Sequence, residues 1–103
     1  MVPATRFRAL VLALDAVSEQ DHFERKAWRV KRIFASLPPD GMTANLLLTP
    51  DQQRLRTELH RGVLYPIPGG FGARGWTTID LSVAAESLVT ALLAEAHVNG
   101  SRA

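Results

Sequence analysis

Residues 65–81 constrain the fold of this chain more than any other segment. The first part of the segment contains two prolines and four glycines, a composition typical of a turn-rich loop. From position 76 to position 81 the residues alternate with a period of two, which indicates a strand. Because glycine loses more backbone entropy on folding than other residues, we expect the loop to need positive φ angles or close backbone contacts. The segment therefore predicts a glycine loop that leads into a strand.

Helical periodicity predicts one helix near each end of the chain. Residues 3–17 carry apolar side chains at i, i+3, i+4 and i+7 spacing, which form a single stripe. Residues 83–98 carry a wider apolar face, with Ser82 as the expected N-cap and Asn99-Gly100 as the expected end. We expect both helices to pack against one face of a sheet.

A further helix is predicted over residues 50–60. Thr49 can act as the N-cap, Pro50 suits the first helical position, and Gln52 can complete a capping box. The segment has only one clear apolar pair, which indicates a helix on the surface.

The remaining strand signals lie between these helices. Residues 18–24 are polar and predict a connector, and Lys31-Arg32 is the expected turn of a hairpin. The segments expected to form strands, besides the one after the glycine loop, are residues 27–30, 33–37, 43–49 and 63–65. The resulting order is α-β-β-β-α-β-β-α. It predicts a single α+β domain over residues 1–103, in which a curled antiparallel sheet packs against the N- and C-terminal helices.

Composition argues against several classes of function. The sequence has no cysteine, which excludes disulfides, thiol nucleophiles and thiolate metal sites. His22, His60 and His97 are isolated in the sequence, and no serine or carboxylate pair lies in a recognisable catalytic context. We therefore expect no metal, no cofactor and no enzymatic activity. No apolar run approaches the roughly 18 residues of a membrane span, so we expect no membrane contact. The absence of cysteine suits a reducing compartment, and we expect a cytoplasmic protein.

Three segments together resemble the MmcQ/YjbR family of small bacterial proteins. They lie within residues 21–37, 44–53 and 66–81, in that order along the chain. The resemblance implies an α+β sandwich similar to that of CyaY, hairpins likened to a double wing, and DNA binding. The chain departs from the family at residues 30–33, where the hairpin turn is one residue shorter and lacks the usual glycine.

The cationic residues are concentrated in one part of the chain, although the net charge is only +2. Five of the twelve lysines and arginines lie within residues 25–32. Together with the family resemblance, this basic segment predicts a hairpin that contacts DNA phosphates. The expected contacts are Arg29, Lys31 and Arg32, supported by Lys26 and Arg74. The alternative is a solvated hairpin whose cations keep an edge strand from aggregating.

A second interpretation is a module that binds a protein or a small ligand. It would use one face of the sheet and the glycine loop, through Trp28, Tyr65, Phe71 and Trp76. The loop matches neither a Walker A sequence nor a dinucleotide fingerprint, and it precedes a strand rather than a helix. Core packing is the alternative role for the two tryptophans. Under either interpretation we expect a monomer or a weak homodimer.

Overall fold

The strands of this protein pair into one antiparallel sheet. The computed structural model describes residues 1–102, and within them the strands are β1 Ser18–His22, β2 Arg25–Arg29, β3 Ile33–Leu37, β4 Thr43–Leu47, β5 Leu64–Pro66 and β6 Trp76–Asp80. The helices are α1 Ala4–Leu12, α2 Pro50–Leu59, α3 Gly70–Ala73 and α4 Glu86–Ser101. The spatial order of the strands is β1-β2-β3-β4-β6-β5, so β4 lies at the centre and β5 at one edge.

One side of the sheet forms the core with the terminal helices. Trp28 pairs with Ala35 across β2 and β3, and their side chains share this face with Leu46 and Thr77. α4 packs on β3 and β4, and α1 packs on α4. Phe7 from α1 meets the Trp28 ring at a centroid distance of 5.7 Å. The predicted fold class, a curled antiparallel sheet packed against N- and C-terminal helices in a single α+β domain, is confirmed.

The other side of the sheet, which we call the open face, is not covered by α1 or α4. The strand register aligns one residue from each strand in a row across it: Gln20, Ala27, Ser36, Asn45, Thr78 and Tyr65. A β-bulge interrupts the register between β2 and β3, because Trp28 pairs with Ala35 while Arg29 pairs with Ile33. The extra residue, Phe34, is buried against α4, where its ring meets His97 edge-on.

Local sequence signals correctly predicted α2 and the hairpin. Thr49 Oγ1 accepts a hydrogen bond from the Gln52 backbone N–H at 3.1 Å, and Gln52 Oε1 accepts one from the Thr49 N–H at 2.9 Å. This is the expected capping box, with Pro50 at the first helical position. The β2–β3 hairpin turns at residues 30–32, around the expected Lys31-Arg32.

The prediction of a connector at residues 18–24 is wrong, because Ser18–His22 forms β1. The prediction that α1 extends to residue 17 is also wrong. The helix ends at Leu12, and the chain then turns through Ala16, whose φ is 59°. β1 has no buried residue, and so it lacks the alternation of buried and exposed side chains that marks most strands.

The bounds of α4 also differ from the prediction. The residue at the N-cap is Ala85 rather than Ser82, and the helix continues through Asn99 and Gly100. Asn99 is buried, and its Nδ2 donates to Leu47 O at 3.0 Å and to Gln52 Oε1 at 2.8 Å. These tertiary hydrogen bonds outweigh the tendency of Asn-Gly to end a helix.

None of the four helices within residues 1–102 combines the length and the hydropathy that a transmembrane span requires.

Candidate functional site

Most cations on the helical side and on the outer edges of the molecule are paired with carboxylates. Salt bridges join Arg6 to Glu86 at 2.7 Å, Arg8 to Glu19 at 2.7 Å, Lys26 to Asp21 at 2.6 Å, Arg56 to Glu95 at 2.9 Å, and Arg54 to Asp51. These pairs neutralise five of the twelve lysines and arginines, so the remaining cations determine where the surface is positive.

Five cations without such a partner lie at one end of the sheet, which we call the basic end: Arg29, Lys31, Arg32, Arg74 and Arg102. The strand register brings them together. Arg29 ends β2 opposite the start of β3, and Trp76 at the start of β6 pairs with Leu47 at the end of β4. The C-terminus of α4 reaches the same end, because the Arg32 backbone N–H donates to Gly100 O at 3.0 Å. Within residues 1–102, none of the five has a carboxylate oxygen within 4 Å.

Three of these arginines line a shared cleft of about 210 Å³, the basic cleft. Its walls are Arg32, Arg74 and Arg102, together with Leu47, Leu48, Thr49, Pro50 and Asn99. The N-terminus of α2 forms one wall, so its dipole adds to the positive potential of the guanidinium groups. The arrangement favours binding of an anion over binding of a cation or a neutral group.

The acidic residues that lack an ion pair include a group at the opposite end of the strands. Glu24 lies in the β1–β2 turn, Asp40 in the β3–β4 turn, and Asp80 at the end of β6, where it pairs with Thr43. The molecule is therefore polarised along its strands despite its small net charge.

The structure brings together most of the cations predicted to contact DNA. Arg32 and Arg74, which are far apart in sequence, line the same cleft, and Arg29 and Lys31 are exposed beside it. Lys26 does not join them. It pairs with Leu37 toward the other end of the sheet, and a hydrogen bond from its ammonium to Asp21 raises its pKa.

A second concave region lies on the open face. This open-face groove has a volume of about 370 Å³ and is lined by His22, Arg25, Ile33, Ser36, Asn45, Ile67, Phe71 and Trp76. The bulge at Phe34 allows both Ile33 and Ser36 to border the groove, although they are an odd number of positions apart. The short helix α3 supplies Phe71, which is 63% exposed.

Arg25 is the cation of the open-face groove. Its Nε donates to Ser36 Oγ at 2.9 Å, and one terminal nitrogen donates to Ser36 O at 3.4 Å. Burial lowers the pKa of Arg25, while the charge of Asp40 opposes this effect. No carboxylate of residues 1–102 lies within 4 Å of the Arg25 guanidinium.

The aromatic residues predicted for a ligand face are separated by the structure. Phe71 and Trp76 line the open-face groove. Tyr65 is exposed on the same face at the edge strand β5, where its hydroxyl donates to Gly62 O at 2.9 Å. The prediction that Trp28 belongs to this face is wrong, because the side chain is fully buried on the helical side of the sheet. Its indole N–H donates to Glu19 Oε1 at 3.0 Å.

Sequence reasoning missed Arg102 of the cleft and six residues of the groove: His22, Arg25, Ile33, Ser36, Asn45 and Ile67. Asn45 and Ile67 reach the groove only through strand register and the path of the glycine loop. Arg102 reaches the cleft because α4 extends beyond its expected end. In the part of the chain that the structure describes, no three histidine, aspartate or glutamate side chains come together as a metal-binding group.

A scan against protein-family profiles finds no match for the sequence, and a search of curated proteins finds none either. Among solved structures, the chain is similar to the crystal structure of Deinococcus radiodurans protein DR2400, which carries a DUF419 family domain. The TM-score is 0.82 at 18% sequence identity, over 96% of this chain and 78% of the DR2400 chain. A likeness at this level of identity supports the α+β fold and leaves function to be argued from the site.

Proposed function

We propose that this protein is a non-enzymatic, cytoplasmic DNA-binding protein of the MmcQ/YjbR type that contacts phosphates through the basic end. One observation carries the proposal: Arg29, Lys31, Arg32, Arg74 and Arg102 share one end of the sheet without a carboxylate partner within residues 1–102. Cations elsewhere are mostly paired. The three sequence segments that resemble the family support the same proposal.

The size of the basic end limits how much DNA it can contact. The molecule measures 31 × 30 × 24 Å, so a duplex lying across one end would be contacted over roughly nine base pairs. If three to five phosphates are neutralised, the slope of log K against log salt concentration is about −2.7 to −4.5. These contacts would set affinity without sequence preference, since phosphates carry no sequence information.

The test is fluorescence anisotropy with a labelled duplex of about 16 base pairs, titrated at several salt concentrations. We expect Lys31→Glu/Arg32→Glu to abolish binding. The matched control is Arg6→Glu/Arg61→Glu, which changes two cations outside the basic end. Each reversal removes two units of charge, so both double variants carry a formal net charge of −2 instead of +2.

The control separates a local site from a general effect of net charge. Binding that survives in the control variant and disappears in the hairpin variant supports the basic end as the site. Equal loss of binding in both variants, or no binding by the unmodified protein at low salt, would contradict the proposal.

The open-face groove supports a second candidate function, a module that binds a small ligand or a protein segment. The observation in its favour is a part-buried Arg25 without a carboxylate partner in residues 1–102, beside apolar walls that include Phe71 and Trp76. Binding of this kind depends little on salt and is insensitive to charge reversal at Lys31 and Arg32. Loss of binding in Phe71→Ala, with DNA binding intact, would distinguish it from the first candidate.

A further inference from the structure

We propose that the open-face groove binds a small aromatic carboxylate, whose anionic group pairs with Arg25 while its ring packs against Phe71 and Trp76. The inference rests on the second candidate function and names the ligand class for that groove. None of the five basic-end cations lines this groove, although the Arg74 guanidinium lies over the Phe71 ring, 5.8 Å from its centroid.

The orientation of Arg25 is fixed by the strand beside it. The two hydrogen bonds to Ser36, at 2.9 Å and 3.4 Å, use Nε and one terminal nitrogen. A guanidinium group carries five N–H donors in one plane, so part of this fork stays without an acceptor among residues 1–102. A planar carboxylate matches such a fork with two parallel hydrogen bonds.

The surroundings of Arg25 favour an anion in the groove. Arg25 is partly removed from water, and no carboxylate of residues 1–102, Asp40 included, lies within salt-bridge distance of it. A partly dehydrated cation without a counter-ion is unfavourable, and a carboxylate bound beside it would offset that cost. One guanidinium suits a monoanion better than a polyphosphate, which would need several cations.

Asn45 supplies a second donor on the floor of the groove. Its Oδ1 accepts a hydrogen bond from Thr78 Oγ1 at 2.8 Å, which leaves Nδ2 available to donate. Asn45 and Ser36 are directly paired across β3 and β4, so the donor of Asn45 lies one strand away from the serine that holds Arg25. The floor can therefore bind an oxygen-bearing group while the rest of the ligand stays apolar.

The other residues that line the groove suit a ligand whose remaining part is apolar and planar. Ile33, Ile67, Phe71 and Trp76 provide two branched aliphatic and two aromatic surfaces. The volume of about 370 Å³ lies near the lower end of the range for small-molecule sites, roughly 300–1,000 Å³. Phe71 is mostly exposed, and stacking on a ligand ring would cover it.

The test uses two probes of nearly equal shape, 2-naphthoate and its neutral amide, 2-naphthamide. Both are titrated into isotope-labelled protein, and binding is followed by chemical shifts of the Trp76 and Trp28 indole groups. We expect 2-naphthoate to bind at least about tenfold more tightly than the amide and to shift Trp76 but not the buried Trp28. Arg25→Gln should remove the preference, while Arg61→Gln, at an exposed cation that lines neither the groove nor the basic cleft, should retain it.

Phe71→Ala gives a second measurement that does not depend on altering a part-buried arginine. Because Phe71 is exposed, the fold should tolerate its loss, and the affinity for both probes should fall by similar factors. Equal binding of the two probes, or a preference that persists in Arg25→Gln, would refute the carboxylate assignment while leaving the groove as a binding site. No binding of either probe in the low millimolar range would overturn the inference, whatever the result with DNA.

Discussion

Gly72 and Gly75 allow the glycine loop to approach neighbouring backbone more closely than any side chain would permit. A Cβ at Gly72 would lie 1.5 Å from Ile67 O, and one at Gly75 would lie 1.9 Å from Leu48 O. Gly75 also has a φ of 109°, a conformation that favours glycine. These contacts hold the loop between β5 and β6, and so they position Phe71 beside the groove and Arg74 beside the cleft.

The loop offers a matched pair of substitutions. We expect Gly72→Ala to lower the free energy of unfolding by about 3 kcal/mol or more, because backbone must move to accept the methyl group. Gly70→Ala should change it by less than about 0.5 kcal/mol, since nothing lies within 4 Å of a Cβ at that position. Urea denaturation of both variants measures the difference. Similar stabilities of the two variants would contradict a close backbone contact at Gly72.

At the scale of elements, Glu19 connects the edge strand β1 to α1 and to β2. It accepts hydrogen bonds from Arg8 Nε at 2.7 Å and from the Trp28 indole N–H at 3.0 Å. The hydrogen bond from Arg8 lowers the pKa of Glu19 below its usual 4.5, and the bond from Trp28 acts in the same direction. A carboxyl group with a lowered pKa stabilises the folded state above its usual pKa and loses that contribution as the pH falls.

The lowered pKa of Glu19 predicts how the stability of a Glu19→Gln variant depends on pH. The unmodified protein should be more stable than the variant near pH 7, and the difference should shrink steadily below about pH 4.5. The effect should be modest, because half of the Arg8 side chain is exposed. Denaturation curves from about pH 7 to pH 3 provide the measurement. The control Glu24→Gln, in the β1–β2 turn, removes a carboxylate that has no salt bridge within residues 1–102. A difference in stability between the unmodified protein and Glu19→Gln that stays constant across the pH series would contradict the ion-pair account.

The elements that the sequence predicted well are those with local signals. The capping box at Thr49, the alternation after residue 76 and the turn at Lys31-Arg32 all act within a few residues. β1 was missed because its stability comes from pairing with β2 and from Glu19, and not from its own polar sequence. α4 passes its expected end because Asn99 is bound by two other elements.

The candidate sites were predictable only in part, because their residues are brought together by tertiary contacts and not by local sequence signals. The basic hairpin was visible as a cluster in the sequence, but its proximity to Arg74 and Arg102 depends on how β4, β6 and α4 end together. The separation of Trp28 from Trp76 is a matter of which sheet face each one occupies. Register decides this, because Trp28 lies in the same row as Ala35, Leu46 and Thr77, and Trp76, the neighbour of Thr77, therefore faces the opposite side.

At the scale of the whole molecule, the centre of the sheet is stabilised by buried apolar contacts, whereas α2 at the periphery is not. β4 lies between β3 and β6, and its Leu46 is fully buried. α2, by contrast, has no buried residue and packs mainly on β5. It is attached by polar contacts. Gln53 Nε2 lies 3.0–3.1 Å from Gly72 O, Trp76 O and Thr77 Oγ1, Asn99 donates to Gln52 Oε1, and Arg56 forms a salt bridge with Glu95 of α4. We therefore expect α2 to open by itself without unfolding the rest of the domain.

Native-state hydrogen exchange can separate these two kinds of opening. Leu46→Ala should lower the global free energy of unfolding by about 2–5 kcal/mol, so the amides of β4 should exchange at least about thirtyfold faster. The amides of α2 should keep their rates, because their local opening leaves the contacts of Leu46 intact. Leu55→Ala, on the exposed side of α2, serves as the control and should change neither set. If α2 instead accelerates by the same factor as β4, then α2 opens only with the whole domain, and the wall that it contributes to the basic cleft is as stable as the core.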